Sequence, residues 1–487
     1  MNTDQIIQPE RRLVWFRSDL RIHDNPALFS ACQPSDNGQP AEVIACFMRP
    51  EKQWQQHDWG SNKQRYTERC VLDLQQTLKS RNIPLLTLDV SDFAGQIHYL
   101  LKLCQVLSIS QILACEEPEL NERHRDAQLI ASAGAIGIKC HFFNDQSLIP
   151  MGQLLKKDGT PYRVYSAFRK QCLNWLESHP VTTWPDATVN LSQQQPFIEL
   201  NASEWPLWQP ESHSADQIQQ QWPASEQQLL QTLDRFCTEG IQQYDTARDY
   251  PADQTGTSKL SAALACGKLS VRSCWLAARQ VQAVDPQYQQ AASCWCDELL
   301  WREFYRHLLV LYPDLCKRQP FKPETRAIRW RHAPNDLKRW QQGKTGFPLV
   351  DAAMRQLIQT GWMHNRLRML VAVFLSKYLL IDWREGEYWF MQHLIDADLA
   401  SNNGGWQWAA STGTDAVPYF RLLSPYRQAE RFDAEGKFIA TFLPELADLP
   451  AKKRIKPDIG AILYPEPMTD LKKSRQLAME EFKRLSN

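Results

Sequence analysis

A chain of 487 residues exceeds one ordinary core and suggests two or three domains. Its 55 Lys and Arg balance 55 Asp and Glu, so no global field draws it to nucleic acid or membrane, and any basic surface is local. The 13 cysteines show no repeated CxxC spacing, the apolar runs fall short of a bilayer span and the start does not resemble a signal peptide; the expectation is a cytoplasmic monomer with reduced thiols, no metal and no membrane contact.

Over 11–146, short apolar runs (LVWF, VIACFM, PLLTLDV, QILAC, IKCHFF) alternate with amphipathic stretches such as IHYLLKLCQVL. This predicts a five-stranded parallel, doubly wound (Rossmann-like) α/β domain. The first strand-to-helix turn, RSDLRIHDNPAL, lacks GxGxxG, so a dinucleotide held in that mode is disfavoured. Over 147–225 the pattern dissolves into Gln, Pro, Trp and Ser (LSQQQPFIEL, WPLWQPESHSADQIQQQWP), which reads as a long ordered or semi-ordered interdomain linker. From 226 to 487, SEQQLLQTLDRFC, CDELLWREFYRHLLVLY, VDAAMRQLIQTGW and NRLRMLVAVFLSKYLL repeat with periods near 3.6 and predict an all-helical domain. It closes on LKKSRQLAMEEFKRL, a solvent-facing helix.

Four stretches of the helical half carry chemistry. In GTSKLSAALACGKLS, Thr257, Ser258 and Ser261 with the Leu260 amide suit an ordinary N-cap or a seat for phosphate oxygens. In WCDELLWREFYRH, helical spacing brings Trp295, Glu298, Trp301 and Arg302 to one side. A boundary helix with an Arg302 ion pair would have this pattern; so would a pocket whose indoles hold a flat ligand beside a partly desolvated Glu298 of raised pKa. In TGWMHNRLRM, Asn365, Arg368 and Met369 share a face and Arg366 points elsewhere, as in a surface arginine pair or in a helix serving two ligands. The fourth, DADLASNNGGWQW at 396–408, combines carboxylates, amides, glycines and indoles at a heavy cost in helix propensity. Tryptophan, 18 in all, crowds between Trp275 and Trp408, beyond what packing asks for.

In order and spacing, LVWFRSDLRIHDNPAL, GTSKLS, ELLWREFYRHLL, KTGFPLVDAAMRQL, TGWMHNRLRM, IDWREGEYWFMQHLIDADLASNNGGWQWAASTGTDA and PYFR resemble the photolyase and cryptochrome flavoproteins over residues 11–450, and within them the bacterial class I cyclobutane pyrimidine dimer photolyases. The resemblance implies light-driven repair of UV-damaged DNA. Excited, reduced FAD donates an electron to a cyclobutane dimer, the ring splits into two pyrimidines and the electron returns; extrusion of the dimer from the duplex is a step known for photolyases as a class.

It further implies FAD in the helical domain, with phosphates at Thr257, Ser258, Lys259, Leu260 and Ser261. Tyr244, Trp295, Arg302, Arg368, Asp396, Ala397 and Asp398 would complete the shell, with Arg368 neutralising Asp396 and Asn402 beside flavin N5. Trp301 and Trp408 would stack the dimer, Glu298, Asn365 and Met369 would touch it, and Arg248 and Arg366 would hold DNA phosphates; Glu298, Met369 and Asn402 form the catalytic set. Gly404 and Gly405 would let the backbone turn closely past the ring. Trp406, Trp383 and Trp330 match the family's electron carriers from flavin to surface, and His57, Asn121, Glu122, Cys316 and Lys317 match positions where relatives hold a methenyltetrahydrofolate antenna.

The resemblance leaves two alternatives, a cryptochrome photoreceptor without repair and a (6-4) photoproduct photolyase. The latter would carry a histidine pair where WMHNR offers only His364, and Glu298, Met369 and Asn402 together favour dimer repair. Two departures from the family pattern, Ser424 before Pro425 and the Trp-free AKKRIKPDIG, fall at the rim. Trp330→Phe is expected to slow photoreduction of resting flavin several-fold and leave repair by pre-reduced enzyme nearly intact. Flash photolysis checks this, and equal loss of both removes Trp330 from the path.

Overall fold

A computed structural model describes residues 9–35, 38–187, 200–415, 418–458, 460 and 464–485. Five strands, β1 (Arg11–Phe16), β2 (Glu42–Pro50), β3 (Leu85–Val90), β4 (Ile109–Cys115) and β5 (Lys139–Phe143), form one parallel sheet in the order β3-β2-β1-β4-β5. Strands apolar on both faces need cover on both. Val14, Phe16, Ala45 and Phe47 pack with Leu28, Val71 and Leu74 from helices Pro26–Ala31 and Ser61–Lys79. Leu13, Trp15, Ile44 and Cys46 pack with Leu100, Leu103 and Leu129 from helices Phe93–Leu107 and Leu120–Gly134. The strand order reverses between β1 and β4, the usual ligand crevice of such sheets. Here the groups beyond the strand ends bind one another: Ser18 Oγ donates to Glu117 at 2.6 Å and Arg125 donates to Glu117 at 2.8 Å.

In the described residues the stretch 147–225 is ordered and docked on both halves. Helix Tyr165–Ser178 sends Phe168, Cys172 and Leu176 into the helical core. Further on, the chain runs along the edge of β3, where Trp208 N donates to the Thr87 carbonyl and Trp208 packs on Phe47. Isolated indoles bury large areas without any periodicity, which is why this docking escapes a reading based on hydrophobic repeats. Residues 188–199, within the Gln-rich part, lie outside the described residues.

The helical half contains helices Glu226–Arg235, Val271–Val284, Gln289–Leu311, Pro348–Thr360, Asn365–Val373, Trp383–His393, Leu399–Ala410 and Leu471–Arg484. The run NRLRMLVAVFLSKYLL is α-helical only to Val373 and continues as a π-turn over Phe374–Tyr378. The last helix is only partly solvent-facing: it buries Ala478 and Phe482.

Buried ions lock sheet to helices. Asp145, just beyond β5, accepts from Arg21 at 2.5 Å and Arg272 at 2.8 Å, and Asp24 accepts from Arg272 at 3.0 Å. The contact is close at Gly267, where an added Cβ would stand 1.9 Å from the Ser18 carbonyl oxygen. Among the described residues no helix is long and apolar enough to cross a membrane, and no group of three or more His, Cys, Asp or Glu side chains could hold a metal. Asp145→Ala leaves two guanidinium groups short of a partner and is expected to cost about 3–5 kcal/mol in urea denaturation. A loss below about 1 kcal/mol would show the interface independent of this carboxylate.

Candidate active site

A cavity of about 530 Å³ lies in the helical half. Helix Gln289–Leu311 contributes Trp295, Glu298, Leu299, Trp301, Arg302 and Tyr305 to its wall, a stripe made by steps of three and four residues. The rest of that helix is committed elsewhere: Glu303 accepts from the Leu148 and Ile149 amides at 3.0 Å each, and His307 accepts from the Gly152 amide at 3.2 Å. Helix Asn365–Val373 adds Asn365, Arg368, Met369 and Ala372, and helix Leu399–Ala410 adds Ser401, Asn402, Gly405, Trp406 and Trp408. Tyr244, Arg248, the segment Thr257–Ser261, Asp396 and Asp398 also line it.

The charges are unevenly matched. Arg306 pairs with Asp398 at 2.8 Å and Arg368 with Asp396 at 2.7 Å. Arg302 has no carboxylate within ion-pair reach among the described residues and donates instead to the Gln146 and Leu264 carbonyls, at 2.5 and 3.4 Å. Desolvation, then the like charge of Arg306, pulls its pKa down to about 9. Asp398 shows the converse: against desolvation, Arg306 and Arg302 hold its carboxyl well below the ordinary range. It also accepts from the Ser401 amide at 2.8 Å, capping helix Leu399–Ala410. The Thr257–Ser261 hydroxyls do not serve as an ordinary cap, because Leu260 occupies the cap position of the following turn and no side chain caps it.

Two buried polar atoms on cavity-lining residues, Asp396 Oδ1 and Trp406 Nε1, have no partner among the described residues. Burial without a partner is costly, so these two atoms are the unsatisfied polar groups of the residues around the cavity. Asn402 Nδ2 donates to the Glu387 carbonyl at 3.0 Å, which leaves the Asn402 side-chain oxygen for the cavity.

Most of the flavin set expected from the sequence converges here, with one exception. Ala397 is fully buried among core residues and does not line the cavity, because it alternates with Asp396 and Asp398, which do. Of the lesion set, Glu298, Trp301, Asn365, Met369, Trp408 and Arg248 share the wall. Arg248 is not a free phosphate ligand: it pairs with Glu298 at 2.6 Å. Burial pushes the Glu298 carboxyl above its usual range, against the pull of Arg248. Arg366 lies off the wall, paired with Asp249 and over the Phe432 ring at 3.8 Å.

Gly404 and Gly405 differ from the turn expected: the helix runs unbroken through both. At Gly404 an added Cβ would stand 2.2 Å from the Tyr305 ring, whereas at Gly405, on the cavity wall, it would meet no protein atom within 4 Å. These glycines therefore serve close approach, of one ring in the protein and of whatever fills the cavity. Trp406 and Trp383 are buried and Trp330 partly buried, and Trp406 lies against Gly386, where a Cβ would fall 2.0 Å from its ring. His57 meets Asn121 at 3.0 Å and Glu122 at 3.2 Å. Cys316, its thiol pushed up to about 12 by burial, is half-buried near Leu120, and Lys317 pairs with Asp314 at 3.3 Å.

Sequence reasoning missed Tyr305 and Glu387. Glu387 sits one turn after Trp383 inside the quoted motif, and that spacing is the signal that could have found it. Its carboxyl accepts from Asn403 at 2.7 Å, its other oxygen has no protein partner, and desolvation raises it to about 7.

Residues 12–186 match the family model of DNA photolyase and residues 295–484 that of the FAD binding domain of DNA photolyase. The chain is 42% identical over 474 residues to the deoxyribodipyrimidine photo-lyase of Escherichia coli, covering 95% of this chain and 96% of that one. It is 38% identical to the deoxyribodipyrimidine photo-lyase of Vibrio cholerae, covering 97% and 99%. A bacterial class III photolyase structure from Agrobacterium tumefaciens matches with TM-score 0.82 and 30% identity over 100% of both chains. A Synechocystis cryptochrome structure, at TM-score 0.80 and 24% identity over 97% of this chain and 99% of that one, shares the fold.

A parallel-sheet domain locked to a helical FAD-binding domain, with a cavity walled by indoles and ion pairs, defines a flavoprotein. The chain belongs to the DNA photolyase family.

Folded, Glu387 stays protonated to about pH 7, whereas its ordinary value is 4.5. The folded state therefore holds an extra proton between those values, and the stability it contributes is lost as pH rises through that window. Glu387→Gln is expected to remove that loss, up to about 3 kcal/mol. Its Tm should gain on wild type from pH 5 to pH 8, and a constant difference would show Glu387 ionised throughout.

Proposed function

We propose that this protein is a light-driven DNA repair enzyme that splits cyclobutane pyrimidine dimers. One observation carries the reading: a single cavity is lined both by the residues expected to hold flavin and by Glu298, Trp301, Asn365, Met369 and Trp408, the residues expected to meet the lesion. Cofactor and substrate would therefore share one enclosure, as a short electron jump requires.

The residues fit FAD. Arg302, lacking a carboxylate, and the Thr257–Ser261 segment would hold its diphosphate, and the unpartnered Asp396 Oδ1 and the free Asn402 oxygen would meet donors on its ring system. Bound and reduced, FAD supplies under blue light an electron that opens the cyclobutane ring and is recovered once two pyrimidines form. The chain's own groups prepare that event. Trp301 and Trp408 offer apolar faces to the extruded bases, and Met369 closes the wall without adding charge. Glu298, its carboxyl raised by burial against the pull of Arg248, is held on the wall where it can hydrogen-bond the extruded bases. Trp406, Trp383 and Trp330 pass from buried to partly exposed and would carry electrons inward to restore the reduced cofactor.

A folate antenna at His57, Asn121 and Glu122 would use their acidic and amide groups on the pterin's donor edge, with Cys316 and Lys317 beside it. The protein acts on UV-damaged DNA, which it approaches through local basic side chains, because its net charge is zero.

The test combines reduced protein, oligothymidine with a defined lesion, blue light and chromatography. Thymine should be restored from cyclobutane dimers; no light-dependent turnover, or turnover of (6-4) lesions alone, overturns the reading. Glu298→Ala is expected to bind damaged DNA within about threefold of wild type yet repair it with a quantum yield at least several-fold lower, a loss of roughly 1 kcal/mol or more in effective stabilisation. An unchanged yield removes Glu298 from the chemistry.

A further inference from the structure

Tyr165 lies in the stretch that reads as linker and outside every motif quoted from the sequence, yet its ring lies flat on Trp301, with centroids 3.6 Å and planes 9° apart. An indole has two faces. Tyr165 covers one, which leaves only the opposite face for a ligand that stacks on Trp301, a residue of the cavity wall. Tyr165 is itself fixed: its hydroxyl donates to the Asp297 carbonyl at 2.9 Å, its amide donates to the Asp415 carboxylate at 3.0 Å, and its ring stands edge-on to Phe304 at 5.9 Å. The tether continues two residues earlier, where the Thr414 hydroxyl donates to the Arg163 carbonyl. Thr414 and Asp415 belong to the loop that follows the helix bearing Trp408. One short segment, 163–165, thus backs one lesion-side indole and holds the loop beyond the other.

We infer that Tyr165 is a positioning residue for lesion recognition, holding the Trp301 indole in the plane on which an extruded pyrimidine dimer stacks. An indole already stacked on one side has little ring freedom left to lose when a base pair of similar shape arrives on the other. Without its backing ring, Trp301 would have to be ordered by the lesion itself, at the expense of affinity. Tyr165 carries no charge: burial, then the neighbouring carboxylate of Asp297, raises its hydroxyl far above the physiological range. With its hydroxyl also committed to the Asp297 carbonyl, it offers the phosphate backbone neither a charge nor a free donor, and its contribution falls on damaged DNA.

The inference rests on the repair reading, and the two fail differently. In the FAD-loaded enzyme kept dark, fluorescence anisotropy measures affinity for oligothymidine with and without one cyclobutane dimer, for wild type, Tyr165→Ala, Tyr165→Leu and Tyr165→Phe. Tyr165→Ala is expected to lose roughly fivefold in affinity for dimer DNA, with affinity for undamaged DNA, flavin content and quantum yield at saturating DNA unchanged. Tyr165→Phe should keep the wild-type ratio of damaged to undamaged affinity. Tyr165→Leu fills the volume without a stacking ring and should lose the ratio as the alanine does, which separates recognition from a failure to fold. An unchanged ratio in Tyr165→Ala and Tyr165→Leu, equal weakening of both DNAs, or a Tyr165→Phe ratio as low as the alanine's overturns the inference. A wild type without preference for dimer DNA overturns the repair reading, and this inference with it.

Discussion

Arg302 carries its charge at a cavity wall with no carboxylate in reach among the described residues, and much of the helical half is arranged around that imbalance. Two guanidinium groups, Arg302 and Arg306, sit one turn apart on the same helix, and only Arg306 is neutralised, by Asp398. The pull on Arg302 is strong enough to bring it down to about 9. A folded protein tolerates such a site when an anion completes it. The same helix must then be anchored on its other side, which explains why Glu303 and His307 are spent on the backbone of 148–152 rather than on the cavity.

The remaining polar groups follow from that anchoring. Two carboxylates at the wall have ionic partners: Asp396 has Arg368 and Glu298 has Arg248. Among buried side-chain atoms of the described cavity-lining residues, one oxygen of Asp396 and the indole nitrogen of Trp406 lack a partner. Ion pairs made within the protein hold these side chains in place before a ligand arrives, which suits chemistry that depends on distance. The sheet domain contributes through Asp145 and Asp24, whose ion pairs with Arg272 hold the helical half against it.

Much of this was legible in the sequence. Alternating apolar runs define a parallel sheet, periods near 3.6 define the helical half, and three helical stripes converge on one cavity as their spacing implies. The failures share a cause. Arg248 and Arg366 look like phosphate ligands until Glu298 and Asp249, distant in sequence, are found against them. Gly404 looks like a helix breaker until Tyr305 is seen to press on it. The segment at 165 looks like linker until Tyr165 lies on Trp301. In each case the deciding partner is far along the chain, and no local pattern encodes it.

By itself the sequence determined the two-part architecture, the family resemblance and the identity of most residues on the cavity wall, because periodicity and motif spacing are local properties of the chain. Only the tertiary structure decided which charges are spent. It paired Arg306 and left Arg302 open, turned Ala397 away from the cavity, carried helix Leu399–Ala410 unbroken through both glycines, and committed the Asn402 amide nitrogen to Glu387. Desolvation and pairing depend on what surrounds a group in space, so the chemistry available to Glu298, Glu387 and Arg302 exists only once the chain has folded.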